Sequence, residues 1–136
     1  MLATREAMRG LCAVEVVAFP QSGLLVRRGT LELLDAALRM GADAVGGLDP
    51  CAIDRDPKGH LDAVFGLAER HGKPVDIHLH EPGELGLFTM ELIVGAPARS
   101  AWAGVWWSAT LSASAIPTRR WWTRRWTPWR RRAWRS

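Results

Sequence analysis

The chain has 136 residues, 48% of them apolar, a size and composition that fit one globular domain. Its formal charge of +4 hides a division: residues 1–91 hold all 14 acidic residues and carry a net −5, whereas residues 92–136 carry +9, no acid and all eight Trp. Two cysteines are too few for a disulfide framework, no apolar run approaches the ~20 residues of a bilayer span, and the N-terminus lacks the basic start and apolar stretch of a signal peptide. The expected location is the cytoplasm.

Residues 4–11 read as the last turns of a helix leading into the apolar run Val14–Phe19, a first strand closed by the loop Pro20-Gln21-Ser22-Gly23. Thr30 is a candidate cap for a helix from Leu31 to Met40, with Leu31, Leu34, Ala37 and Leu38 on one face and Gly41 as its stop. Ala42 to Leu48 is short and apolar and reads as a second, buried strand, followed by a loop from Asp49-Pro50. Asp56-Pro57 supplies an N-cap with proline at the first helical position; Leu61, Val64, Phe65 and Ala68 line one face, and Gly72 closes the helix. A strand over 75–80 and a helix from about Glu84 to Ile93 complete a third unit. Three strand–loop–helix units predict a parallel sheet, either doubly wound or a barrel.

The third strand carries the chemistry. Val75, Ile77 and Leu79 alternate with Asp76, His78 and His80, and Glu81 follows before Pro82-Gly83 breaks the strand. Unpaired buried charge is costly, so a plain core strand rarely bears such a face. Two imidazoles followed by a carboxylate suit a metal-activated water. Gln21, Asp49, His78, His80 and Glu81 all fall at or just beyond the C-terminal ends of predicted strands, where a (β/α)8 barrel builds its active site. Asp49 is a weaker substrate contact; Asp54 and Asp56 read as loop and cap residues. His60 and His71 read as solvated, and Cys12 and Cys51 as inert thiols.

With these residues in view, Val16-Val17-Ala18-Phe19-Pro20-Gln21, Gly46-Gly47-Leu48-Asp49-Pro50 and Asp76-Ile77-His78-Leu79-His80-Glu81 resemble the cytosine deaminase-like branch of the amidohydrolase superfamily over roughly residues 2–94. The resemblance implies an α/β fold, a partial TIM (β/α)8 barrel of about three βα units corresponding to the third to fifth strands. It implies one divalent metal, zinc or iron, and hydrolytic deamination of cytosine or a related ring amidine. Gln21 then matches the glutamine that hydrogen-bonds the substrate ring, His78 the fifth-strand metal ligand and Glu81 the acid/base that shuttles protons. His80 stands in the pocket without an assigned role. The family's His-x-His pair, sixth-strand histidine and eighth-strand aspartate have no counterpart. The chain is therefore expected not to retain the metal and to be inactive. A small pyrimidine-like molecule is the implied substrate, and full-length relatives are expected to be homo-oligomers.

The division is thus read as residues 1–94, part of an amidohydrolase barrel, and residues 95–136, a Trp/Arg-rich tail expected to be disordered or irregular. The tail looks like an out-of-frame product of GC-rich coding DNA. Tryptophan has one codon, and reading from each third base lets Arg99 through Pro117 encode Leu-Gly-Met-Gly-Gly-Arg-Val-Val-Val-Ser-His-Ala-Phe-Cys-Leu-Gly-Asp-Pro, a strand ending in Ser-His. The nucleotide sequence decides this: an alternative frame with no barrel pattern removes the idea. Two other readings stand beside it, a Trp/Arg-rich binder of nucleic acid or a membrane surface, and a non-catalytic domain that binds a pyrimidine-like ligand. Partnership with nucleic acid and with membranes is expected to be absent.

Overall fold

A computed structural model describes residues 2–95 and the backbone of residues 107–111. The remaining expectations for the tail lie outside the described residues. The elements run α1 (Leu2–Ala7), β1 (Val17–Ala18), α2 (Thr30–Arg39), β2 (Ala44–Leu48), α3 (Pro57–His71), β3 (Val75–Leu79), α4 (Gly83–Gly95) and β4 (Trp107–Leu111). All strand pairings are parallel, in the order β1-β2-β3-β4. Sequential order without reversal is the winding that a closed βα barrel repeats, and it differs from the doubly wound alternative, in which the order switches direction.

Local signals account for the best-formed helix. Asp56 accepts a hydrogen bond from the Gly59 N–H at 2.8 Å, Pro57 opens α3, and Gly72 ends it in the left-handed region at φ 60°. Helix α2 starts differently from the expected Thr30 cap. Gly29 occupies the cap position at φ 84° with no side-chain bond, and Thr30 is the first residue of the helix. A β-carbon is disfavoured at that φ, so glycine shapes the entry and the hydroxyl is not used for it.

Strand β1 is shorter than its apolar run. The Val16 N–H donates to Asp43 Oδ2 at 2.8 Å, and the Val16 carbonyl accepts from Asp43 N–H at 2.7 Å, so a side chain takes the place of a ladder rung. Asp43 is held in turn by Arg5 of α1 at 2.6 Å. The hydrogen bond from Val16, aided by Arg5, outweighs partial burial and holds the Asp43 carboxyl below its ordinary range.

One apolar layer joins the helices to the sheet. Leu34 and Leu38 of α2, Leu61, Val64, Phe65, Leu67 and Ala68 of α3, and Ile93 of α4 pack with Val45, Val75 and Ile77 in a single cluster. On β3 the alternation holds as predicted: Val75, Ile77 and Leu79 are buried, Asp76 and His78 half-buried. Strand β2 is buried throughout, including its two glycines. No helix among the described residues is long and apolar enough to cross a membrane.

The expectation of an irregular tail is corrected at residues 107–111, which pair with β3 from Val75↔Trp107 to Leu79↔Leu111. The sequence Trp107-Ser108-Ala109-Thr110-Leu111 alternates apolar and polar residues at the strand period. The edge of β3 offers such a segment a row of unpaired backbone groups.

Candidate active site at the C-terminal ends of the strands

The end of β2 and the end of β3 are knitted together by two carboxylates. Asp49, directly after β2, accepts the His80 backbone N–H at 2.6 Å and contacts His80 Nδ1 at 3.1 Å. Asp49 sits at φ 40°, a region that Asp tolerates better than most side chains, and this turn aims its carboxylate across at β3. The bond from Nδ1 fixes the His80 ring and leaves Nε2 directed away from Asp49. With a half-exposed side chain, His80 presents an oriented imidazole that can give or take a proton.

Glu81 is buried, at 1% exposure. Its Oε1 accepts the backbone N–H groups of Cys51 at 2.7 Å and Ala52 at 2.8 Å, and its Oε2 accepts the Thr89 hydroxyl of α4. The predicted acid/base is thus also a clamp that ties the loop after β2 to the middle of α4. The Cys51 thiol lies 3.1 Å from Thr89 Oγ1. Burial, together with the nearby Glu81 charge, pushes that thiol up despite the bond to Thr89, which keeps it in the inert form expected from the sequence.

His78 lies one residue from the end of β3, its ring 4.7 Å from the Phe19 ring and 6.2 Å from that of His80. Its Nε2 is 3.5 Å from Asp76 Oδ2. Phe19 packs closely over Gly46: a β-carbon at position 46 would fall 2.6 Å from Phe19 Cδ2 and 2.8 Å from the Ala18 carbonyl oxygen. Gln21 is exposed in the turn after Phe19, its N–H bonded to the Phe19 carbonyl at 3.1 Å. Asp49, His78, His80 and Glu81 are therefore gathered at one end of the sheet, and Gln21 sits on the neighbouring loop.

Three sequence expectations are corrected here. His60 is not solvated; it is fully buried, with Nδ1 2.6 Å from Asp54 Oδ2. Asp54 is no mere loop residue, since it is buried and accepts the N–H groups of Leu24, Leu25 and Val26. His71 is also largely covered, its Nε2 2.7 Å from Asp35 Oδ1. That bond, with Arg39 and Arg70 nearby, holds Asp35 below the usual carboxylate range against partial desolvation.

The donor set falls short of a metal centre. No group of three or more His, Cys, Asp or Glu among the described residues could hold an ion, and residues 96–136 contain none of these residue types. His78 offers one imidazole where a catalytic zinc takes three protein ligands. No step through a metal follows from these residues alone.

No family model matches the chain. It is 32% identical over 104 residues to N-isopropylammelide isopropyl amidohydrolase of Pseudomonas sp. (strain ADP), a match that covers 76% of this chain and 26% of that protein. The crystal structure of N-isopropylammelide isopropylaminohydrolase from Burkholderia multivorans ATCC 17616 superposes with a TM-score of 0.69 at 52% identity, over 71% of this chain and 25% of that one. Its homologues are amidohydrolase-superfamily members. A further amidohydrolase relative of known structure is 5-methylcytosine deaminase from Klebsiella pneumoniae liganded with phosphonocytosine, at TM-score 0.61 and 28% identity over 79% of this chain and 26% of that one. The chain thus spans about a quarter of the length of the amidohydrolases it matches.

Proposed function

We propose that this chain is the substrate-facing portion of a metal-dependent deaminase barrel that acts on a small nitrogen heterocycle. The observation that carries the reading is the convergence of Asp49, His78, His80 and Glu81 at the C-terminal ends of adjacent parallel strands. The names of its relatives, an aminohydrolase and a deaminase, support hydrolysis of a carbon–nitrogen bond. Gln21 hydrogen-bonds the ring, and in a complete barrel His78 would supply one ligand to a divalent ion, zinc or iron. Glu81 and the Asp49-oriented His80 exchange protons with water and the leaving group. These 136 residues alone are inactive, because one imidazole does not hold the ion.

The frame-shifted origin of the tail belongs to the same proposal. It is supported by the sequence alone: with permitted third bases, the codons of residues 105–110 can read Val-Val-Val-Ser-His in the other frame, and the gene's nucleotide sequence tests it. No observation favours the readings as a nucleic-acid, membrane or ligand-only module.

Cytosine added to the isotope-labelled chain tests the binding part, with ammonia release in the presence of zinc or iron(II) as the readout of turnover. Chemical-shift changes confined to Gln21, His78, His80 and Glu81, without ammonia release, are expected. Unchanged shifts at those residues contradict the substrate-facing assignment, and measurable turnover contradicts the inactivity.

A further inference from the structure

We propose that Asp54 and His60 are positioning residues that form a proton-operated latch, holding the loop that carries Gln21 against the end of the sheet. The buried Leu24 side chain anchors the middle of the loop in the core, and one carboxylate holds the backbone around it. Between Pro20 and Gly29 the backbone forms no regular element, and its N–H groups at Leu24, Leu25 and Val26 all converge on the Asp54 carboxylate, at 3.1, 3.1 and 3.3 Å. Gly23 allows this approach. It lies at φ 97°, and a β-carbon there would fall 3.0 Å from Asp54 Oδ1 and 2.4 Å from Val26 Cγ2. Gln21 stands two residues before Gly23, so the latch sets where its side chain starts.

His60 completes the latch from beneath. A carboxylate only accepts, so the 2.6 Å contact requires the proton on Nδ1, and neutral His60 then carries a bare Nε2. That Nε2 is buried and has no hydrogen-bond partner. It abuts β2 so closely that a β-carbon at Gly47 would lie 2.9 Å away, with Ile77 side-chain atoms around the same point. Protonation would create an N–H in this dry contact with no acceptor, a state that a buried donor avoids by opening. The charged groups around the ring are Asp54 in the loop before α3, Asp49 at the end of β2 and Glu81 at the end of β3. Burial outweighs their pull and keeps His60 below the ordinary imidazole range. For Asp54, burial works against the charge, but hydrogen bonds from His60, Val26 and Leu25 outweigh it and hold the carboxyl low.

The sign follows. A histidine whose pKa is lower when folded stabilises the closed state above the unfolded value near 6.5 and loses that contribution as pH falls below it. The closed latch thus belongs to neutral and alkaline pH, and acid releases the loop first. The substrate role of Gln21 rests on the function proposed above; the latch does not, and its test uses no ligand.

Residue-resolved hydrogen exchange on the 136-residue chain, corrected for intrinsic rates, reads the latch between about pH 7.5 and pH 5. Protection at Leu24, Leu25 and Val26 is expected to fall about tenfold or more, while Val45 and Ile77 keep theirs. The His60 ring signal should titrate with that loss. In His60→Gln, whose amide donates at every pH, protection at the loop should be flat. Four results overturn the proposal: loop protection that does not change with pH, absent loop protection at pH 7.5, an equal fall at Val45 and Ile77, or a His60 titration separated from the loss. The wild-type series decides the matter even if the variant does not fold.

Discussion

Replacing Glu81 with Ala is expected to lower the stability of the chain by about 3 kcal/mol or more, measured by urea denaturation. The substitution strips the acceptor from three donors at once: the N–H groups of Cys51 and Ala52 and the Thr89 hydroxyl. Each donor left without a partner costs about 1–3 kcal/mol where water does not replace it. Glu81→Gln separates structure from chemistry. Both backbone donors share Oε1, so the amide carbonyl can serve them, and Thr89 can turn its hydroxyl to the Leu85 carbonyl, already 3.1 Å away. The Gln variant should stay within about 1 kcal/mol of the wild type, as isosteric exchanges that keep their partners do. A loss as large as that of the Ala variant would show that the negative charge, not the acceptor geometry, holds the loop.

Phe65→Ala is the second large effect, at about 3–5 kcal/mol. Phe65 is the largest of the fully buried side chains and lies in the cluster that joins α3 to Val45, Val75, Ile77 and Ile93. Its removal leaves a cavity inside that shared cluster. A typical domain has only about 5–15 kcal/mol in total, so the loss should abolish a cooperative thermal transition in a chain of this size. Circular dichroism during a thermal melt checks it. A variant that melts cooperatively within a few degrees of the wild type would mean that α3 does not pack on the sheet as described.

The sequence was legible where the signal is local. Asp56-Pro57 and Gly72 mark α3 because capping depends on residues within a turn of the helix end. The 75–79 alternation marks β3 because its two faces differ in burial. The placement of Asp49 and Glu81 followed from these elements, since they lie one and two residues beyond strand ends. What stayed hidden depends on contacts made across the fold. Asp43 replaces a rung of β1 from 27 residues away. His60, one residue after Gly59 on an otherwise amphipathic helix, reads as a surface position until Asp54 and Gly47 are placed against it. Gly46 and Gly47 look interchangeable in the sequence, yet one makes room for Phe19 and the other for His60. A glycine whose importance lies in what approaches it carries no local sign.

Cross-strand contacts between α-protons and amides in the isotope-labelled chain test the central claim, that an ionisable row ends a parallel strand at the active-site end of a βα unit. The account predicts contacts that place Gly46 opposite Asp76 and Leu48 opposite His78, with both strands running the same way. Contacts that reverse the direction of β3, or that show residues 76–80 in helical spacing, would contradict it.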